Sequence, residues 1–247
     1  MGRSDGLGGK RVVVLGGTSG LGFAAAQAAL GDGATVVVAS SNRERVAHAV
    51  ARLGNQAPKH VSGEVVDLAD EPQMRALFER LGAFDHLVFT AGESLAIAPL
   101  ASMTIADAKR FLDVRFWGAY MAAKYGSPHI RPGGSIVLTN GGAGLRPRKG
   151  WTVASSVCGA MESLTRALAV ELAPIRVNCV CPGLVKTELW DKMSEADRQA
   201  MYAAASQRLL VGRPGEPDEL ADAYLYLMRE GFSTGQVIVV DGGGVLV

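Results

Sequence analysis

Short, uninterrupted runs of β-branched and aliphatic residues recur along this chain, and their lack of alternation limits its possible folds more than any other feature. They fall at residues 12–15, 36–39, 65–66, 87–89, 136–138, 177–180 and 237–240. A strand that is apolar on both faces is buried on both faces, as in a parallel sheet covered by helices. Segments of helical period lie between the runs, at 21–30, 43–53, 71–81, 104–125, 153–172 and 217–228. Strand and helix therefore alternate, and the expected fold is α/β. It is a doubly wound, Rossmann-type parallel sheet of about seven strands with helices on both faces.

The first apolar run leads directly into Gly16-Gly17-Thr18-Ser19-Gly20-Leu21-Gly22 and then a helical segment. Glycine at 16, 20 and 22 has a physical logic there. The first allows a tight turn, the second lets backbone approach a phosphate, and the third lets helix pack on strand. The helix that follows aims free N–H groups at the pyrophosphate of a dinucleotide. A glycine-rich turn alone is weak evidence, but a strand before it and a helix after it make the assignment specific. The end of the second strand indicates which nucleotide. Ala39-Ser40-Ser41-Asn42-Arg43 contains no acid to accept from a ribose 2′-OH, whereas Ser40, Ser41, Asn42 and Arg43 could hold a 2′-phosphate. NADP(H) is expected over NAD(H); Arg43 as a solvated first-turn residue is the competing reading.

Composition excludes several other classes. The 247 residues are 48% hydrophobic and 20% charged with a net charge of +1, ordinary for a soluble protein and no case for nucleic acid or an anionic membrane. No apolar stretch approaches a membrane span, and residues 1–6 are polar, lacking a signal-peptide core and the myristoylation pattern, so a cytoplasmic location is expected. Cys158, Cys179 and Cys181 are too few for a disulfide framework, and four scattered His suggest no zinc site. Cys179 and Cys181, inside an apolar run, read as buried thiols. Short connections and the absence of any linker point to one domain spanning 1–247. The exception is residues 188–217, too long for a plain connector and emerging where ligands bind in open α/β folds. A substrate lid is expected there, with a surface helical hairpin as the alternative.

Beyond the glycine turn, Asp67-Leu68 follows the third strand, Thr90-Ala91-Gly92 the fourth and Pro182-Gly183-Leu184-Val185-Lys186-Thr187 the sixth, with Asp241-Gly242-Gly243 near the end. In order and spacing, over nearly the whole chain, these resemble the short-chain dehydrogenase/reductase family. The resemblance implies that Asp67 bonds the adenine amino group with Leu68 beside the ring. It places Ala91 and Gly92 along the adenosine ribose, and Pro182, Gly183, Val185 and Thr187 on the nicotinamide carboxamide. For Asp67 taken alone, a helix N-cap is the alternative. The family's pairing of long helices across subunits implies a homodimer or homotetramer.

The same resemblance sets up a conflict. The family's catalytic tetrad is Asn, Ser, Tyr and Lys, with Lys lowering the pKa of the proton-transferring Tyr. Aligned backward from Glu171, the Tyr position falls on Ala154, the Lys position on Cys158, the Ser position on Gly141 and the Asn position on Arg115. The wider Tyr–Lys spacing of the family's enoyl-reductase branch gives Trp151 and Cys158. The string Tyr120-Met121-Ala122-Ala123-Lys124 imitates the motif but lies on another helix, where core packing or a subunit contact explains it better. Arg115, Asn140 and Cys158 remain as candidate catalytic groups: a fixed cation, an amide able to orient a carbonyl, and a thiol whose pKa a guanidinium would depress. The expectation is an atypical NADP(H)-dependent oxidoreductase acting on a carbonyl or alcohol. A non-redox lyase or isomerase and a non-catalytic NADP(H)-binding sensor or scaffold are the alternatives.

Overall fold

The computed structural model describes residues 6–55, 58–92 and 97–247. Its strands are β1 (Arg11–Leu15), β2 (Thr35–Ser40), β3 (Val61–Val65), β4 (Phe84–Phe89), β5 (Ile130–Thr139), β6 (Arg176–Pro182) and β7 (Val237–Val240). All pair in parallel, in the order β3-β2-β1-β4-β5-β6-β7. The helices are α1 (Gly20–Gly31), α2 (Arg43–Gly54), α3 (Glu71–Leu81), α4 (Ile105–Leu112), α5 (Ala119–Gly126), α6 (Thr152–Glu171), α7 (Glu195–Arg208) and α8 (Pro217–Arg229). The α/β architecture read from the apolar runs is the one observed. Residues 1–5, read above for targeting signals, lie outside the described residues.

The continuous strands divide their side chains between two cores. Val13 and Leu15 of β1 join Met74, Phe78, Ala122 and Met161 under α3, α5 and α6. Val12 and Val14 join Ala25, Ala29, Leu53 and Tyr224 under α1, α2 and α8. Each fully buried Val or Leu contributes about 1.5–3 kcal/mol, so a polar residue on either face of β1 would cost heavily. The chain runs outward from β1 to β3, then returns to β4 on the other side of β1. That reversal opens a crevice at the carboxyl ends of β1 and β4, where ligands bind in sheets of this kind.

Two expected elements are corrected. The third strand covers Val61–Val65 rather than 65–66, because it is an edge strand whose Ser62, Gly63 and Val65 are exposed. An edge strand need not be an unbroken apolar run. The long helix read over 104–125 is instead α4, a π-helical turn (Asp113–Gly118) and α5. Gly118 lets this turn pack against the Leu68 backbone, since a β-carbon there would come within 2.9 Å of the Leu68 carbonyl oxygen. Apolar periodicity runs on through such a turn, so it leaves no mark in the sequence pattern. Turns of this kind often sit at functional sites, and this one carries Arg115.

Candidate cofactor and catalytic site

The glycine turn is closed around backbone on every side. Gly16 has φ +86°, and a β-carbon there would meet the Ala91 nitrogen at 2.6 Å. On Gly22 it would come within 2.3 Å of both the Gly16 carbonyl oxygen and Thr90 Oγ1. Thr90 Oγ1 in turn donates to the Leu15 and Gly16 carbonyls at 3.2 and 3.3 Å, stitching β4 to the turn. Ser19 stands at the N-cap of α1 in extended conformation, and its side chain makes no capping hydrogen bond. Thr18, Ser19, Gly20 and Leu21 therefore present the start of α1 to the crevice, the arrangement that suits an anion.

On the adenosine side, Ser40 ends β2 and Ser41, Asn42 and Arg43 are exposed beyond it. Asn42 Oδ1 accepts from the Arg45 N–H at 2.9 Å and caps α2, so part of this segment is explained by helix formation alone. Asp67 is not a helix cap; that role belongs to Asp70, which accepts from the Gln73 N–H at 3.0 Å. Asp67 is exposed and accepts only from the Ala69 N–H at 2.9 Å, leaving carboxylate capacity toward the crevice edge. Leu68 is buried in the core, which limits it to a backing role.

Across the crevice, β6 delivers Pro182 and Gly183, and the Gly183 N–H donates to the Val240 carbonyl at 3.0 Å. A β-carbon on Gly183 would strike the Asp241 Cα at 2.6 Å. Val185 is buried and pairs with Gly215, holding the following Thr187 near the glycine turn. A β-carbon on Gly20 would lie 3.3 Å from the Thr187 Cβ and 3.5 Å from Glu188 Oε2. Sequence reasoning did not single out Glu188; its position directly after Thr187 was the available signal.

Of the four positions aligned above, Gly141 lies against Cys158, Ala154 is on the same helix, and Arg115 is close enough for its charge to act on the Cys158 thiol. Arg115, on the π-helical turn, folds its guanidinium over the Phe111 ring at 4.8 Å and against Gly92, where a β-carbon would be 2.7 Å away. Gly141, at the end of β5, would place a β-carbon 3.6 Å from Cys158 Sγ, and one on Gly144 would touch the Cys158 Cβ at 3.0 Å. Ala154 is buried one turn before Cys158 on α6, a helix without Tyr, His or Lys. The expected depression of the Cys158 pKa is overturned: burial pushes the thiol up, outweighing the Gly144 and Gly141 amides and the Arg115 charge. Near neutral pH it is a thiol, a weak donor rather than a nucleophile. Asn140 stands at the mouth with both side-chain polar atoms buried and without a hydrogen-bond partner in the protein. An orphaned buried amide is costly and calls for a partner. Ser155 Oγ is in the same condition; sequence gave no sign of it, because burial of a helix Ser depends on what packs over it.

The Tyr120/Lys124 string forms no catalytic pair. Tyr120 is exposed and edge-on to Trp117 at 6.1 Å, so core packing does not account for it, and Lys124 is paired with Glu71 at 3.0 Å. Cys179 and Cys181 are fully buried thiols, the latter pushed up to about 12 by burial. Among the described residues no three His, Cys, Asp or Glu gather as a metal site, and no helix is long and apolar enough to cross a membrane.

Residues 188–217 comprise a 3₁₀ turn (Glu188–Trp190), α7 and a return strand of chain. Lys186 pairs with Glu216 at 2.5 Å across the base of the excursion, and Trp190 Nε1 donates to the Val185 carbonyl at 2.9 Å. A cavity of about 510 Å³ lies between α1 and this excursion, bounded by Gly20, Phe23, Thr187, Arg198 and Tyr202. It adjoins the glycine turn but not Arg115, Asn140 or Cys158.

Residues 16–244 match the family model described as Enoyl-(Acyl carrier protein) reductase. The chain is 38% identical to the short-chain dehydrogenase/reductase ATR9 of Stachybotrys chlorohalonatus, over 96% of this chain and 98% of that one. The structure of MalC Reductase/Diels-Alderase from Malbranchea aurantiaca superposes with a TM-score of 0.90 at 35% identity, covering 98% of this chain and 99% of that one. An NADPH-bound short-chain oxidoreductase from Pseudomonas aeruginosa PAO1, described as containing an atypical catalytic center, gives a TM-score of 0.88 at 30% identity, covering 95% of this chain and 96% of that one. Glycine turn, strand order and whole-length similarity agree: the chain belongs to the short-chain dehydrogenase/reductase family.

Proposed function

We propose that this protein is an NADP(H)-dependent oxidoreductase acting on a carbonyl or alcohol through a remodelled active site in which Arg115 and Asn140 replace the usual tetrad. The observation that carries the reading is Asn140, whose amide is buried and unpartnered beside the backbone that leads to Pro182 and Gly183. The residues fit a dinucleotide: glycine at 16 and 22 lets the turn, β4 and α1 approach more closely than a β-carbon would allow, and this brings the start of α1, without a side-chain cap, to the crevice. Gly16 through Gly22 would hold the pyrophosphate, Asp67 the adenine, Ser40 to Arg43 the 2′-phosphate and Pro182 to Thr187 the carboxamide. When bound, the nicotinamide supplies or accepts hydride. Arg115 offers a permanent charge for an oxyanion developing on the substrate, the contribution that commonly matters most at such centres. Asn140 orients the carbonyl oxygen, and the Cys158 thiol packs behind it. A proton would come from water, because Ala154 supplies none.

The test is calorimetric titration with NADPH and NADH, followed by turnover on a carbonyl panel. NADPH should bind at least tenfold more tightly, about 1.4 kcal/mol, and Arg43→Ala should erase the preference. NADPH binding with no oxidation across the panel would favour the non-catalytic reading. The neighbour named both reductase and Diels-Alderase gives the non-redox alternative a specific footing. That alternative predicts substrate conversion without change in nicotinamide absorbance. We further propose a cytoplasmic homodimer or homotetramer, supported by exposed Trp117, Tyr120 and Val170 on helices that face outward, to be checked by sizing chromatography. The 188–217 excursion, tied at its base, serves in this reading as the substrate lid.

A further inference from the structure

No Asp or Glu occurs between Asp113 and Glu162, while Arg115, Lys124, Arg131, Arg146, Arg148 and Lys149 fall within that stretch. Two of these cations are spent elsewhere: Lys124 pairs with Glu71 and Arg131 with Asp85. Arg146, Arg148 and Lys149 make no ion pair among the described residues and sit together on the loop from β5 to α6. That loop forms one wall of the crevice. Its Gly141 and Gly144 lie against Cys158, and its far end is held to the opposite rim by the Ala98 N–H donating to the Gly150 carbonyl at 3.0 Å. Arg148 is fixed over the Trp151 ring, 5.5 Å from its centre. Trp151 is the N-cap of α6 and gives no side-chain cap, so the positive end of a 20-residue helix adds to the same field. Ser155, in the first turn, keeps a buried hydroxyl without a partner. Asp241, the carboxylate of the C-terminal segment, accepts from the Gly243 and Val245 amides.

A wall carrying three cations, an uncapped helix start and no acid suits a ligand bearing negative charge. Resting on the oxidoreductase reading, we infer that the substrate is a carbonyl compound with an anionic oxygen group, carboxylate or phosphate, received by Arg146, Arg148 and Lys149. These residues set substrate choice and do not touch the reacting carbon. The cofactor's own phosphates are received at the glycine turn, across the crevice, so the two anion sites are separate.

The experiment titrates the NADP+-loaded protein with 4-formylbenzoate, 4-formylphenyl phosphate and methyl 4-formylbenzoate by calorimetry, for wild type and Arg148→Glu/Lys149→Glu, with NADPH oxidation by the same aldehydes followed separately. At least one anion should bind tenfold or more tightly than the ester, and the double charge reversal should abolish that preference while NADPH affinity stays the same. The tighter anion identifies carboxylate or phosphate as the group recognised. Equal binding of all three, absence of binding by both anions, or a preference that survives the reversal would overturn the inference. Because binding is read without hydride transfer, failure of the oxidoreductase reading shows separately as binding without turnover.

Discussion

The crevice is built from two walls that the chain treats differently. The β1–α1 wall is saturated apart from the uncapped start of α1: a β-carbon on Gly16 or Gly22 would strike backbone, and the Thr90 hydroxyl has its acceptors. The β5–α6 wall is open, with the Asn140 amide and the Ser155 hydroxyl buried and unpartnered beside the Cys158 thiol. A wall whose ligand never changes can be closed around its own backbone. A wall that selects or transforms a ligand holds polar groups in reserve, and that reserve lowers stability.

The largest effect should come from breaking the saturated wall. Gly22→Ala places a β-carbon against the Gly16 carbonyl oxygen and Thr90 Oγ1 with no flexible group to yield. It should cost about 1–3 kcal/mol of stability and eliminate NADPH titration, read by thermal melting and calorimetry. The second removes the charge of the open wall. Arg115→Met should lower kcat/KM for an accepted carbonyl substrate by about 10²–10³-fold with NADPH affinity nearly unchanged. An equal loss of cofactor affinity would move Arg115 to the binding wall.

The third concerns the seam between the walls, where β4 pairs with β5. His86 is buried beside Ser135, with Nδ1 2.9 Å from its Oγ, and burial together with the Arg176 charge lowers its pKa to about 4 from 6.5. Its proton is taken up more readily in the unfolded chain, so stability is full above pH 6.5 and is lost as pH falls toward 4. The loss reaches about 3 kcal/mol. Urea midpoints at pH 7 and 4.5 should fall further apart in wild type than in His86→Asn. The smallest effect is expected at Cys158. As a buried thiol it should react slowly with iodoacetamide at pH 7.5, and Cys158→Ala should change turnover less than about threefold, within the range of a packing change. Fast alkylation would instead mark a thiolate and restore it as a catalytic candidate.

Much of this was legible in the chain. Continuous Val and Ile runs predicted buried parallel strands, and glycine at 16 and 22 predicted the tight turn and the close packing of helix on strand. Both are local consequences of side-chain size and backbone freedom. The edge strand β3 was misplaced because its exposed face carries no apolar signal. The π-helical turn was invisible because Arg115 fits either a straight helix or a distorted one. At the site, alignment by spacing named Gly141 and Cys158 separately, and their contact is a product of the fold. The direction of the Cys158 pKa came out opposite, since proximity to Arg115 could be guessed from sequence whereas the depth of burial could not.

The sequence by itself determined the sheet, the glycine cradle and the residues available for chemistry, because periodicity and the absence of a β-carbon act within a few positions of the chain. Tertiary structure alone decided that the Asn140 amide is left without a partner, that Arg115 lies against Gly92, and that the Cys158 thiol keeps its proton. Each of these depends on desolvation and on contacts between segments far apart in the chain, and no local pattern encodes them.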